Sequence, residues 1–210
     1  LWGCSEDFTI TINMLIGHLL IILAYLLGSL SGAVIVCWMM NLPDPRTQGS
    51  GNPGATNVLR TGRKKAALIT LCLDVFKGVI AVGAALLVTR SDVVLASVTL
   101  AVFLGHLYPI FFHFRGGKGV ATAFGALAVL AWPVSFAALV TWLMMVAVFR
   151  YSSLAAITAA LLTPVYMFWL MNVWEYTLIS FIISSLLIWR HRSNVHNLLL
   201  AQESKIGKAL

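Results

Sequence analysis

The stretch GSGNPGATNVLR at residues 49–60 concentrates residue types that hold oxyanions. Successive small residues let backbone N–H groups turn inward as an anion-binding nest, and Asn52-Pro53 favours an extended or turn geometry. Beyond it, Gly54-Ala55-Thr56-Asn57 can open a helix whose first amides face the turn. Ser50, Asn52, Thr56 and Asn57 add neutral donors. Arg60, one turn past Thr56, offers a planar fork suited to phosphate oxygens. RGGKG at residues 115–119 is a second stretch of this kind. Lys118 supplies the charge, and Gly116 and Gly117 allow a backbone to approach a ligand closely. Each stretch has a plain alternative: a solvated loop with an interfacial arginine for the first, a basic anchor for an apolar span for the second. Two glycine-rich basic loops together favour a ligand that carries phosphate.

Other constellations are thinner. In Tyr151-Ser152-Ser153-Leu154 a serine serves equally well as a helix N-cap. His191 and Asn194, three apart, share a face if that segment is helical, as many interfacial polar pairs do. His106 fits a structural hydrogen-bonder. Asp74 and Lys77, also three apart and inside an apolar run, read as a functional intramembrane pair or as a self-satisfied bridge, with the bridge favoured. Residues 49–54 also satisfy G-x-G-x-x-G, with Asp74 twenty positions after Gly54. A dinucleotide loop must follow a strand and open a helix in a parallel sheet, and that context is missing. RGGKG lacks the Walker form. No His is followed five residues later by Asp, which removes the His/Asp acyltransferase box. No carboxylate cluster suits Mg²⁺, so neither metal nor cofactor is expected. Cys4, Cys37 and Cys72 have no short spacing, which argues against a disulfide framework or a zinc site.

The elements that must position these loops are membrane spans. Of 210 residues, 60% are apolar and only 10% charged, against about 25% charged in soluble domains. Apolar runs lie at roughly 10–40, 66–88, 93–114, 119–149, 154–171 and 176–189. The run 119–149 is long for one span, and Trp132-Pro133 near its centre suits a tight interfacial turn, giving 119–131 and 134–149. Charge supports that division. With seven spans and the N-terminus outside, the inner segments hold Arg46, Arg60, Arg63, Lys64, Lys65, Arg115, Lys118, Arg150, Arg190, Arg192, Lys205 and Lys208 of the 14 basic residues, as positive residues prefer. The first fourteen residues carry no Lys or Arg, so the first run reads as a retained span. The expectation is one all-α polytopic membrane domain over 1–210, N-terminus periplasmic and C-terminus cytoplasmic. The net charge of +7 then reads as orientation, and no nucleic-acid partner is expected. This topology brings residues 49–60, 115–119, 151–153 and 190–197 to one membrane face.

GSGNPGATNVLR, DVFKG at 74–78, GHLYP at 105–109, FRGGKGVATAFG at 114–125, YSSL at 151–154 and the RHxxN form of Arg190–Asn194 together resemble the bacterial acyl-phosphate:glycerol-3-phosphate acyltransferase (PlsY) family. The resemblance runs from about Gly28 to Asn194. It implies a seven-span inner-membrane enzyme of phospholipid synthesis that makes 1-acyl-glycerol-3-phosphate, with acyl phosphate as donor, membrane lipids around it, and coupling to the enzyme that produces acyl phosphate. Carried over residue by residue, it implies that Ser50, Arg60, Lys118, Ser153, His191 and Asn194 form the glycerol-3-phosphate and catalytic pocket, Ser153 being preferred over Ser152. Asn52, Gly54, Thr56 and Asn57 would cradle the acyl phosphate. A mixed anhydride is already activated, so direct attack by the glycerol-3-phosphate 1-hydroxyl needs no covalent intermediate. A transporter lined by the same loops is the competing class, but no internal repeat is visible and the polar loops share one side.

Overall fold

The computed structural model describes residues 3–206, with side chains described from residue 11. Lys208, counted on the basic side above, lies outside the described residues. Among the described residues ten α-helices follow in order: α1 (Gly3–Gly28), α2 (Gly32–Met39), α3 (Ala55–Arg60), α4 (Lys64–Val88), α5 (Asp92–Leu107), α6 (Val120–Leu130), α7 (Trp132–Phe149), α8 (Ser152–Met171), α9 (Trp174–Arg190) and α10 (Arg192–Leu199). No strand occurs among the described residues. Segments in α1, α4, α5, α7 and α8 are long and apolar enough to cross a bilayer. Their outer faces carry side chains such as Leu87, Val148 and Trp169, each more than 70% exposed. Such surfaces suit acyl chains, and the chain is a multi-pass membrane protein.

Two pairs of glycines set the closest helix crossings. A Cβ on Gly28 would stand 2.2 Å from the Val102 carbonyl oxygen, and one on Gly105 would stand 2.3 Å from that of Tyr25, so α1 and α5 meet backbone to backbone. Gly78 and Gly125 do the same for α4 and α6, at 2.4 Å from the Thr122 oxygen and 2.1 Å from the Val75 oxygen. Without a hydrophobic force between helices in lipid, small residues permit the close packing that holds them together.

The apolar run 10–40 is not one helix. It breaks at residues 29–31 between α1 and α2. A broken helix at membrane depth exposes carbonyls that must find partners. Lys77, on α4, donates to Gly28 O and Leu30 O, both at 3.0 Å, and lies 2.8 Å from His106 Nδ1. Asp74 Oδ1 stands 3.0 Å from the same ammonium, an ion pair rather than an aligned hydrogen bond. The i, i+3 pair is therefore a bridge that also closes the helix break.

The run 119–149 divides at Ala131. Ser135 Oγ donates to Phe124 O at 3.3 Å. Along one continuous helix those residues would lie about 16 Å apart, so the chain folds back on itself there. Pro133 near the start of α7 sits where a missing N–H costs nothing. At 11 residues α6 is about 16 Å long, roughly half a bilayer core. It packs mainly against α4, while α7 packs against α8.

Candidate functional site

The N-terminal ends of α6 and α8, helix α3 with the loop before it, and the C-terminal end of α9 converge on one cavity of about 370 Å³. Ser50, Asn52, Gly54, Thr56, Asn57 and Arg60 of the first loop line it, together with Lys118, Ser152, Ser153, His191 and Asn194. Its deeper part is apolar, running between α4, α6, α7, α8 and α9 past Val75, Leu127, Leu139, Ala159 and Ile183. The ends of four separate sequence segments therefore make a polar head, and the helices below make an apolar trough continuous with it.

Within the first loop the structure alters two expectations. Asn57 is 2% exposed. Its Oδ1 accepts from Ser50 N at 2.9 Å and Ser50 Oγ at 3.1 Å, and its Nδ2 donates to Pro45 O at 2.8 Å and Gln48 O at 3.0 Å. Both lone pairs and both N–H groups are used, so Asn57 is the core of the loop rather than a donor to ligand. The Ser50 amide and hydroxyl proton are committed to it as well, which leaves Ser50 Oγ as an acceptor. Gly49 and Gly51 have φ of +55° and +68°, and a Cβ on Gly49 would lie 2.4 Å from Asn57 Oδ1. These glycines wrap the backbone around one buried amide.

Gly116 and Gly117 are not on the cavity wall. A Cβ on Gly116 would fall 2.1 Å from His106 O, and one on Gly117 would fall 2.2 Å from His106 Nε2. They are glycines because the RGGKG loop packs onto the end of α5, not because a ligand approaches them. Lys118 and Gly119 are the members that line the cavity, and the Lys118 ammonium donates to Asn194 Oδ1. Burial is the largest influence on Lys118. With smaller contributions from Arg60 and Arg190, and against the support of Glu203, it pushes the pKa down to about 8.

The residue that sequence reasoning passed over is Glu203. It is 7% exposed, and its Oε1 accepts from Arg60 Nη2 at 3.2 Å, Ser153 Oγ at 3.0 Å and Asn194 Nδ2 at 2.9 Å. Reciprocal bonds between Arg150 and Ile206 hold the tail against the start of α8, with Lys205 over the Tyr151 ring. The signal was present: Asp44 and Glu203 are the two acids of the inner segments, and Asp44 is paired with Arg46 at 2.7 Å. Ser153, rather than Ser152, joins the hydrogen-bonded network.

His191 Nδ1 lies 2.8 Å from Leu187 O. A carbonyl cannot donate, so Nδ1 carries the proton and Nε2 keeps a lone pair. Burial pushes its pKa down to about 4, which keeps the ring neutral at physiological pH. Among the described residues no three His, Cys, Asp or Glu side chains gather as metal ligands. Among the described residues the cavity is lined by two cations, Arg60 and Lys118, and two carboxylates, Glu203 and the Lys77-paired Asp74. Such a site can take an anion, and the trough below can take an apolar chain.

Comparison with known proteins agrees with that shape. The family described as "Glycerol-3-phosphate acyltransferase" matches residues 18–201. A glycerol-3-phosphate acyltransferase of Thioalkalivibrio sulfidiphilus is 54% identical over 195 residues, 92% of this chain and 96% of that protein. The crystal structure of PlsY, an integral membrane glycerol 3-phosphate acyltransferase, in its glycerol 3-phosphate form superposes with a TM-score of 0.87 at 38% identity, covering 91% of this chain and 96% of that one. The lysophosphatidic acid form gives 0.85 at 37%, covering 91% and 95%.

Proposed function

From the premise that the chain belongs to the glycerol-3-phosphate acyltransferase family, we propose that it moves the acyl group of an acyl phosphate to the 1-hydroxyl of glycerol-3-phosphate. The products are 1-acyl-glycerol-3-phosphate (lysophosphatidate) and inorganic phosphate. The observation that carries this reading is the continuity of one cavity: a head with Arg60 and Lys118 opens into an apolar trough. Both substrates bear phosphate and one bears an acyl chain, so the reacting carbonyl would stand where the two parts meet.

In this reading Arg60, Lys118, Ser153, His191 and Asn194 hold glycerol-3-phosphate, and the 49–57 loop, through Asn52, Thr56 and the Ser50 oxygen, holds the acyl phosphate head. The 1-hydroxyl oxygen attacks the acyl carbon, the anhydride C–O bond breaks, and the departing phosphate takes the hydroxyl proton. His191 Nε2 accepts a substrate hydroxyl and orients it; a base with a pKa of about 4 is too weak to hold that proton at neutral pH. Lys118 and Arg60 stabilise charge that grows on the carbonyl and the leaving phosphate.

We further infer a single domain of seven spans in the bacterial inner membrane, with the N-terminus periplasmic and the C-terminus and active site cytoplasmic. The basic inner segments support this orientation, since Arg60, Lys118 and Arg190 lie at one end of the bundle. An inner-leaflet site also meets soluble glycerol-3-phosphate, and an enzyme producing acyl phosphate would act as its functional partner. The test is purified protein with radiolabelled glycerol-3-phosphate and palmitoyl phosphate, without added metal, against palmitoyl-CoA. Labelled lysophosphatidate from palmitoyl phosphate alone is expected. Turnover with the thioester alone would replace the donor, and no product from either would sink the reading.

A further inference from the structure

Lys118 can act on a substrate only if the RGGKG backbone is fixed, and that loop is held from two sides. Toward α5, Gly117 N donates to His106 O at 3.1 Å, and the imidazole lies so close to Gly117 that no side chain fits there. His106 itself is fixed by Lys77 at 2.8 Å and Thr122 at 3.2 Å. Toward α9, Arg190 donates through Nη2 to Gly116 O at 2.7 Å and through Nε to Gly117 O at 3.2 Å. Its guanidinium also lies 5.9 Å from the centre of the Tyr108 ring. At the far end of the loop, Gly119 takes φ of +85° against Phe103 and Leu107 and starts α6. Arg190 is not on the cavity wall, so it does not touch a ligand there.

We propose that Arg190 is a positioning residue: its fork fastens two consecutive carbonyls of the RGGKG loop to the end of α9, and thereby sets Lys118 opposite Asn194 and His191. This deepens the functional reading above and rests on it. The geometry uses what distinguishes arginine from lysine. Two donors in a rigid plane engage two consecutive carbonyls at once, whereas an ammonium is a point charge on a flexible stem. The residue also couples two parts of the site, since the next position after Arg190 is His191. Among the described residues Arg190 makes no hydrogen bond to the first loop, which receives the acyl phosphate head in this reading.

The experiment compares Arg190→Lys and Arg190→Ala with the parent protein in detergent, by hydrogen exchange at residues 115–119 and by steady-state kinetics. In both variants exchange in that loop should rise at least about 10-fold, because its α9 fastening is gone. The KM for glycerol-3-phosphate should rise about 10-fold or more while the KM for palmitoyl phosphate stays within about twofold. Added guanidinium should restore part of the loss in Arg190→Ala and none in Arg190→Lys. Arg190→Lys keeps the charge and most of the bulk, so it carries the test where Arg190→Ala does not fold. Loop exchange equal to that of the parent overturns the inference whatever the enzyme does. So does an equal rise in both KM values. If the parent makes no lysophosphatidate, the functional reading fails, and the exchange measurement still decides the fastening.

Discussion

Replacing Glu203 by alanine removes one oxygen that receives three donors, Arg60, Ser153 and Asn194, within 3.2 Å. Breaking a buried pair by deleting one partner costs about 3–5 kcal/mol, because the remaining groups stay desolvated without partners. At about 2–4 °C per kcal/mol for a chain of this size, the Tm should fall by about 10 °C. Glu203→Gln keeps an acceptor oxygen but loses the charge, so it should fall by about half as much. The second readout is the alkaline limb of kcat/KM. Lys118 has a pKa of about 8 with Glu203 supporting its charge. If its cation is the active form, activity is lost as pH rises through about 8. Removing the carboxylate charge should move that limb to lower pH, since burial, Arg60 and Arg190 then act unopposed. Differential scanning in detergent and a pH series on Glu203→Gln provide both measurements. A variant with the parent Tm and an unmoved limb would refute the role assigned to Glu203.

Lys118→Ala should lower kcat/KM by about 10²–10³ with no loss of Tm at pH 7. The folded pKa of about 8 lies below the ordinary 10.5, so the fold gains stability as pH rises between those values, and at pH 7 it bears the cost of a buried ammonium. His191 has the acid counterpart. Its folded pKa of about 4 against 6.5 means that stability is fully present above pH 6.5 and is lost by up to about 3 kcal/mol as pH falls toward 4; His191→Asn should flatten that part of a Tm–pH curve. Asp74→Asn leaves the buried Lys77 ammonium without its carboxylate, and should cost about 3–5 kcal/mol in stability while activity per folded molecule falls less than about 10-fold. A well-folded but inactive Asp74→Asn would instead place the pair in the chemistry.

The apolar runs were legible because the bilayer demands them: α4, α7, α8 and α9 begin and end within two residues of the expected limits. The divide before Pro133 was legible for a local reason, since proline restricts the residue before it. The break at residues 29–31 was not. It depends on Lys77, almost fifty positions later, to satisfy the Gly28 and Leu30 carbonyls. Nothing in the run 10–40 records that distant donor. Helix α5 ends at Leu107, short of the expected 114, because Pro109 follows and the chain makes a short 3₁₀ turn over Ile110–Phe112.

For the site, residue type gave the chemistry each group can offer, and tertiary contacts decided how much of it is left for a substrate. Asn57 has four hydrogen-bonding positions and spends all of them inside its own loop. Arg60 has five N–H groups and commits one guanidinium nitrogen to Glu203 among the described residues. Both were expected to donate to a ligand and both line the cavity, yet the Asn57 amide builds the loop while Arg60 commits only part of its fork. Gly116 and Gly117 illustrate the same rule for space, because the room they leave is filled by His106 rather than by ligand. Glu203 places a carboxylate among the cations of an anion site. A single buried oxygen aligns Arg60, Ser153 and Asn194 and offsets part of the repulsion between Arg60 and Lys118, so two cations can share a small low-dielectric cavity. An incoming phosphate would then meet donors already aimed at it, which is the condition under which such donors act most strongly on a transition state.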